Sequence, residues 1–413
     1  MSTERLGVRH RSQRRRRWRT IGAFSVVVLA AATIWRVATE GTPPLIVHRT
    51  LSAYVRLPGS APVLAWPREG QAAVEVEGVG SFGTAGGHAP VPIASVAKVM
   101  TAYLTLREHP LAPGKKGFAM TITRKDVEEE EQRVALDEST LPVRAGERLT
   151  ERQALEALLL PSANNIAALL AVHDAGGLGA FVSRMNSTAR KLGMTATTYS
   201  DPSGFNAKTV SIATDQLKLA EVAMRVPAFA AIVDRPSAKL PVAGRVPNYN
   251  GLVGTDGFVG VKTGSDGAAG GCLAFAKRVN VGGRWLKVLG VVLGQRRGAL
   301  VEAALESAQR LGHSAAAALR METVLPAGTT VLSASSADGR HTVAVTTHSL
   351  REIGWGGLVL PVQMVARPAM TGLQTGERMA TVAIRGNSAV KSNAVAMRSV
   401  GAPSLGWRLL HLF

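Results

Sequence analysis

From Thr20 to Trp35 the chain runs for sixteen residues without a charge, between Arg19 and Arg36. A run of this kind reads as an export signal and decides on which side of a membrane everything after it folds. It is short for a spanning helix, which takes about 17 to 25 residues, yet Arg19 and Arg36 can snorkel and Trp18 and Trp35 suit the two interfaces. Those flanks favour a retained anchor over a signal cut after Ala30 to Ala32. Eight arginines between Arg5 and Arg19 face a single acid, Glu4. The positive-inside rule keeps them in the cytoplasm. The expected order is a basic cytoplasmic tail (1–19), a transmembrane anchor or signal (20–37), and everything after about residue 38 outside the cytoplasm.

The formal charge of +19 invites a nucleic-acid reading. The arginine-rich tail holds much of it, and the +12 left on the remainder suits an anionic polymer or membrane surface as readily as DNA. No zinc-finger spacing and no aromatic-plus-basic platform accompanies the charge, so no nucleic-acid partner is expected. The single cysteine, Cys272, excludes an internal disulfide. Within Gly270-Gly271-Cys272-Leu273-Ala274 it reads as a small buried hydrophobe in a strand. At 413 residues with 46% hydrophobic side chains the chain can fold on packing alone.

Residues 38–66 carry Pro and Gly punctuation with little periodicity and read as a linker. Partial alternation over Gln71 to Glu77 and the glycines Gly83, Gly86 and Gly87 predict a hairpin with a Gly-rich turn. Ser95 to Arg107 has a helical apolar stripe, and Thr150-Glu151-Arg152-Gln153 is a capping box opening a helix that stops near Pro161. Further helices are expected at Ala180–Leu192, Thr214–Met224 and Val301–Leu311. Gly257–Val261 and Gly271–Ala276 read as buried strands joined by a turn through Thr263 to Gly267. Strands bracketing a helical middle give an α/β or α+β domain over 67–315. After it, short strands such as Thr329–Leu332, His341–Val345 and Met379–Ile384 predict a small all-β domain over 316–413.

Three motifs occur in order: Ser95-Val96-Ala97-Lys98, Ser162-Ala163-Asn164 and Lys262-Thr263-Gly264. Serine is a weak nucleophile without a base in hydrogen-bond reach, and positions i and i+3 of a helix share a face, so Lys98 can serve Ser95. A lysine accepts a proton only when neutral, which requires burial and a nearby cation; Lys262 can be that cation. Ser162 can relay a proton to a leaving amine, and Asn164 can hold the Lys98 side chain or a substrate amide. A carboxylate-ended substrate would find Lys262 as counter-charge and Thr263 as donor, with Gly264 letting the backbone pass close. The serine–lysine spacing alone is weak: Ser388-Ala389-Val390-Lys391 repeats it without either partner motif and reads as accidental. Lys262-Thr263 is not a phosphate-binding loop, because Val261 stands where a glycine is required. No two-histidine helical spacing occurs among the nine histidines, and His173 and His341 read as surface or structural. Neither a metal nor a cofactor is expected.

On these motifs the chain resembles the D-alanyl-D-alanine carboxypeptidases, the low-molecular-mass penicillin-binding proteins, over roughly 67–315. Pro92-Ile93-Ala94, Val99-Met100-Thr101-Ala102-Tyr103, Met185-Asn186, Lys191-Leu192-Gly193-Met194, Asp201-Pro202-Ser203-Gly204-Phe205 and Asp256-Gly257 extend the likeness. The resemblance implies an α+β, β-lactamase/transpeptidase-like domain, with a helical cluster against an antiparallel sheet, followed by a C-terminal β domain. It implies that Ser95 attacks the carbonyl between the last two D-alanines of a peptidoglycan stem peptide, releases D-alanine and leaves an acyl-enzyme for water. It also implies an oxyanion site at the backbone N–H groups of Ser95 and Ser265, and acylation of Ser95 by β-lactams. Two departures stand out. Asn165 replaces an aspartate common after the second motif, and Arg296 and Arg297 are the nearest candidates for an arginine that binds the substrate carboxylate. A β-lactamase, a D,D-endopeptidase or a transpeptidase would share the motifs, and a non-catalytic wall-binding protein would share the anchor.

Overall fold

The computed structural model describes residues 5–39, 41–384 and 390–411. It divides into two compact units, one formed by Pro58–Glu322 with Ile353–Leu358 and the other by Met1–Leu57, Thr323–Glu352 and Val359–Phe413. The first helix, α1 (Arg5–Thr39), carries the basic residues and the uncharged run in one rod, and its stretch Arg16–Thr39 is long and apolar enough to cross a bilayer. The segment read as a linker is partly strand: β1 (Ile46–Arg49) and β2 (Tyr54–Arg56) are each hydrogen-bonded into a sheet of the C-terminal unit. Four- and three-residue strands are too short to show a period, which is why the sequence conceals them.

The larger unit begins with the expected hairpin, β3 (Gln71–Val76) and β4 (Gly80–Gly86). Its turn is not the Gly-rich stretch, however. Gly83 and Gly86 lie inside β4, opposite Val74 and Gln71, and the pairing skips Phe82 between Gly83 and Ser81. Glycine with a positive φ is what such a bulge requires. After β5 (Val91–Pro92) a 3-10 turn, Ala94–Ala97, runs directly into α2 (Lys98–Glu108). The helical layer then follows with β6 (Ala119–Thr121), α3 (Arg124–Ala135), β7 (Arg148–Thr150), α4 (Glu151–Leu159), α5 (Asn164–Ala175), α6 (Leu178–Lys191), β8 (Val210–Ser211), α7 (Ala213–Met224) and α8 (Pro227–Val233). The capping box at α4 forms as read, with Thr150 Oγ1 accepting from Gln153 N and the Gln153 side chain accepting from Thr150 N.

A small hairpin, β9 (Ser237–Leu240) and β10 (Gly244–Pro247), leads to the long strands β11 (Phe258–Asp266), β12 (Gly270–Val281) and β13 (Arg284–Gln295), then α9 (Leu300–Ala317). The main sheet is antiparallel in the order β11-β12-β13-β3-β4. Its central strands read as almost continuous apolar runs because both faces are covered. One face, with Ala73, Ala274, Ala276, Leu289 and Val291, packs on the helical cluster through residues such as Val99, Leu158 and Leu217. The other, with Val74, Leu273, Phe275, Val288 and Val292, packs on Ala304, Ala308, Leu311 and Ala315 of α9. This is the α+β layering that the sequence and the resemblance led us to expect.

Thr263 to Asp266, read as a turn, belong to β11 and pair with β12 as far as Asp266 opposite Gly270. The turn is Gly267 to Ala269, where Asp266 Oδ1 accepts from the N–H groups of Ala268 and Ala269. The glycines of this hairpin allow close approach. A Cβ at Gly271 would stand 1.8 Å from the Leu300 carbonyl oxygen, and one at Gly264 2.8 Å from Ser95 N.

After α9 the C-terminal part of the chain continues with β14 (Arg320–Leu325), β15 (Thr330–Ser335), β16 (His341–Thr346), β17 (Leu350–Gly354), β18 (Val359–Ala366), β19 (Arg378–Ile384), β20 (Lys391–Ala396) and α10 (Leu405–Leu410). Its seven-stranded sheet, β1-β15-β16-β20-β19-β18-β2, is antiparallel throughout. Lys391 opens β20, whereas Ser388 lies outside the described residues.

Gly290 lies directly across from Phe275, and a Cβ there would fall 2.2 Å from the ring, which is itself fully buried against α9. Gly290→Val is therefore expected to destabilise the larger unit by about 1–3 kcal/mol through overpacking. Its thermal midpoint should drop several degrees by calorimetry; an unchanged midpoint would mean that the ring has room to move.

Candidate active site

Ser95 sits in the 3-10 turn and Lys98 opens α2. A 3-10 turn has three residues per turn, so side chains three apart eclipse each other more closely than on an α-helix. Lys98 Nζ lies 2.7 Å from Ser95 Oγ. Ala94, immediately before, holds φ +45°, a conformation that costs a non-glycine residue energy and recurs at functional turns. The geometry thus brings the first motif together more tightly than the helical spacing required.

Lys98 is fully buried, and Nζ has two further neighbours, Asn164 Oδ1 at 2.5 Å and the Ser203 carbonyl at 2.9 Å. Burial, and next the charge of Lys262, hold its pKa well below that of an ordinary lysine; Asp201 and Glu138 act the other way. The bond inventory agrees with a neutral amine. Two N–H donors serve two pure acceptors, and the remaining lone pair meets a hydroxyl that can donate. Lys262 is also buried, and burial pushes its pKa down to about 7. Its Nζ donates to the Thr263 carbonyl, and Thr263 Oγ1 is 3.5 Å away.

Asn164, the first residue of α5, is oriented by a residue the sequence reading did not single out. Its Nδ2 donates to Glu138 Oε2 at 2.7 Å, and Arg133 in turn donates to that carboxylate at 3.0 Å. A carboxylate only accepts, so the amide nitrogen must face Glu138 and the amide oxygen must face Lys98. Asn165, the departure from the family pattern, clamps the loop that carries Glu138: it accepts from Leu141 N and donates to Leu141 O.

The Ser203 carbonyl is presented by a second unforeseen device. Asp201 Oδ2 accepts from the backbone N–H groups of Ser203, Gly204 and Phe205 and from Ser203 Oγ, while Oδ1 accepts from Thr209. Gly204, at φ +81°, lets this loop dock; a Cβ would lie 1.8 Å from the Ala94 carbonyl oxygen. The sequence reading quoted this segment only as part of the family likeness; an aspartate two before a serine and three before a glycine is a turn signal that could have given it this role.

Ser162 is buried at φ +70°, and its Oγ has no hydrogen-bond partner among the described residues. Thr263 is buried and Ser265 exposed at the end of the β11 edge. Gly264 allows a close approach, but the neighbour is the backbone of Ser95 and Val96. Arg296 has its guanidinium on the carbonyls of Gly267 and Ala268, and Arg297 lines a separate cavity of about 450 Å³ with Trp66 and Arg310. Cys272 is buried, its thiol pushed up to about 12 by burial, which makes it inert at neutral pH.

The sequence model of the D-alanyl-D-alanine carboxypeptidase family matches residues 84–296, a stretch that contains all of these motifs. A D-alanyl-D-alanine endopeptidase of Pseudomonas aeruginosa is 33% identical over 199 residues, covering 46% of this chain and 60% of its own length. A D-alanyl-D-alanine carboxypeptidase of Mycobacterium tuberculosis is 40% identical over 102 residues, 24% of this chain and 35% of its own. The crystal structure of the Streptomyces K15 DD-transpeptidase superposes with a TM-score of 0.51 at 27% identity, covering 63% of this chain and 98% of that one. The chain spans about 60% or less of the length of the curated relatives it matches.

The Glu138 carboxylate raises the pKa of Lys98, which the sequence reading expects to act on Ser95 in its neutral form. Glu138→Gln should therefore move the acid limb of Ser95 acylation to lower pH, while Glu138→Ala, which also frees the Asn164 amide, should slow acylation about tenfold to a hundredfold. Rates of covalent labelling of Ser95 against pH check both, and an unmoved acid limb in Glu138→Gln would rule out the electrostatic role.

Proposed function

The chain belongs to the D-alanyl-D-alanine carboxypeptidase family, and from that membership we propose that it is a serine D-Ala-D-Ala peptidase acting on peptidoglycan stem peptides, with Ser95 as nucleophile and Lys98 as its base. The observation that carries this reading is the hydrogen-bond inventory at Lys98. An amine facing two fixed acceptors and one hydroxyl is arranged to take the hydroxyl's proton. Ser95 Oγ then bonds to the penultimate D-alanine carbonyl as its proton passes to Lys98. The tetrahedral oxyanion is met by the backbone N–H groups of Ser95 and Ser265. Collapse breaks the C–N bond, and the departing amine takes a proton from Lys98 directly or through Ser162, whose buried hydroxyl has no hydrogen-bond partner among the described residues. Water, deprotonated by Lys98, hydrolyses the acyl-enzyme and restores Ser95.

Lys262 and Thr263 are assigned to the terminal carboxylate of the substrate, which makes the release of a single D-alanine the preferred reaction. One observation favours a second reading, cleavage of crosslinks: the Arg296 guanidinium is drawn onto the Gly267 and Ala268 carbonyls, which commits part of its donor fork and leaves less of it for a free carboxylate. A β-lactam should acylate Ser95 by the same chemistry. Slow loss of the adduct follows from the engagement of Glu138, a buried carboxylate close to the site, with Asn164 and Arg133. The stretch Arg16–Thr39 is proposed as a membrane anchor that leaves the peptidase unit on the outer side.

The full chain in detergent should release D-alanine from a stem pentapeptide, and Ser95→Ala should lower the rate about a thousandfold or more. Release that survives this change sinks the assignment, and faster cleavage of a crosslinked dimer than of the pentapeptide selects the endopeptidase reading. The pH profile supplies a separate check. Lys98 must be neutral and Lys262 charged, so kcat/KM should rise as pH passes the lowered pKa of Lys98 and fall as pH rises through about 7, where Lys262 loses its proton. Lys262→Arg keeps the charge and should carry the alkaline limb upward. An alkaline limb that stays in place in this variant would remove Lys262 from carboxylate binding.

A further inference from the structure

The helices that carry Lys98 and Asn164 at their N-terminal ends meet again at their C-terminal ends, and there three metal-ligand side chains converge. His109 caps α2, and His173 with Asp174 occupies the last turn of α5. Asp174 Oδ1 lies 2.9 Å from His173 Nδ1 and 3.4 Å from His109 Nε2, and one ligand atom from each residue falls within 4.8 Å of the others. Ligands about 2.1 Å from a tetrahedral ion stand ~3.4 Å apart. The Asp174–His109 separation already matches a shared ion, and the hydrogen-bonded His173–Asp174 pair would need to part by only about 0.5 Å.

We propose that His109, His173 and Asp174 bind one divalent transition-metal ion of the zinc class, which clamps the C-terminal end of α2 to that of α5.

Three features beyond the ligand set point to a cation. Two helix C-termini converge there, and the partial negative charge of their terminal carbonyls favours positive charge. Asp174 is held in the manner of a metal-bound carboxylate: fully buried Thr105, one turn before His109, donates to Oδ2 at 2.6 Å and turns Oδ1 towards the imidazoles. Glu151, only 2% exposed, places a second carboxyl group close to Asp174 and His173, and its Oε1 has no hydrogen-bond partner among the described residues. Phe118 stacks on His173 at 4.1 Å and meets His109 edge-on, which fixes both rings. The imidazoles remain about one third exposed, at 35% and 33%, so an ion can enter and water can complete its coordination.

The site is tested on the full chain in detergent after chelator treatment, by calorimetric titration with Zn²⁺ and by the visible absorption of added Co²⁺. Wild type should bind one ion per chain and melt higher with Zn²⁺. His109→Gln/His173→Gln should bind at least a hundredfold more weakly and lose the thermal shift, with Ser95 labelling unchanged. Thr105→Val keeps every ligand and should weaken binding tenfold to a hundredfold. Absence of one-to-one binding by wild type, or equal binding by the double variant, would overturn the proposal and leave the cluster as hydrogen-bonded imidazoles.

Discussion

A buried amine with no carboxylate bonded to it is the condition on which the rest of the site depends. Lys98 is surrounded by Ser95, Asn164 and the Ser203 carbonyl, all neutral partners. Burying an ammonium ion without a counter-charge is costly, so the protein shifts the protonation equilibrium instead. Each neighbour is itself constrained so that this equilibrium is not undone. Asp201 and Glu138 are spent on backbone N–H groups, Thr209, Asn164 and Arg133, and they influence Lys98 only through space.

The second constraint is closeness of backbone. Gly264 brings the β11 edge against Ser95 and Val96, and Gly204 brings the Asp201 loop against Ala94. Both contacts press on the same 3-10 turn, so Ser95 is held by main chain from two sides. Side chains at either position would separate the elements by more than a hydrogen bond can bridge. The α9 face follows the same logic away from the chemistry, where Gly290 and Gly312 make space for Phe275.

Much of this architecture was legible in the sequence where a local pattern carries its own periodicity or cap. The α4 capping box, the stripes of α2, α6, α7 and α9, and the apolar strands β11 and β12 are of that kind. The misplaced turns share a cause. Glycines at 83, 86, 264 and 267 look like turn residues, yet three of the four lie within strands because glycine serves close packing as well as turning. Helix α3 buries no residue and has no apolar stripe to detect. The strands β1 and β2 are too short for alternation to register, and their pairing is with strands some three hundred residues away.

By itself the sequence determined that Ser95 and Lys98 share one turn, because three residues along a turn fix their proximity without help from the fold, and the two later motifs set this pair apart from Ser388 and Lys391. It also determined the order of the three motifs and the uncharged run near the N-terminus. Only the tertiary structure decided what surrounds the pair. The Ser203 carbonyl, Glu138, the clamp made by Asn165, and the meeting of His109 with His173 and Asp174 all join segments far apart in the chain. A hydrogen bond or a metal bond requires an approach within about 3 Å from a defined direction. Linear spacing encodes such an approach only within a single turn or strand pair, and beyond that range packing sets it.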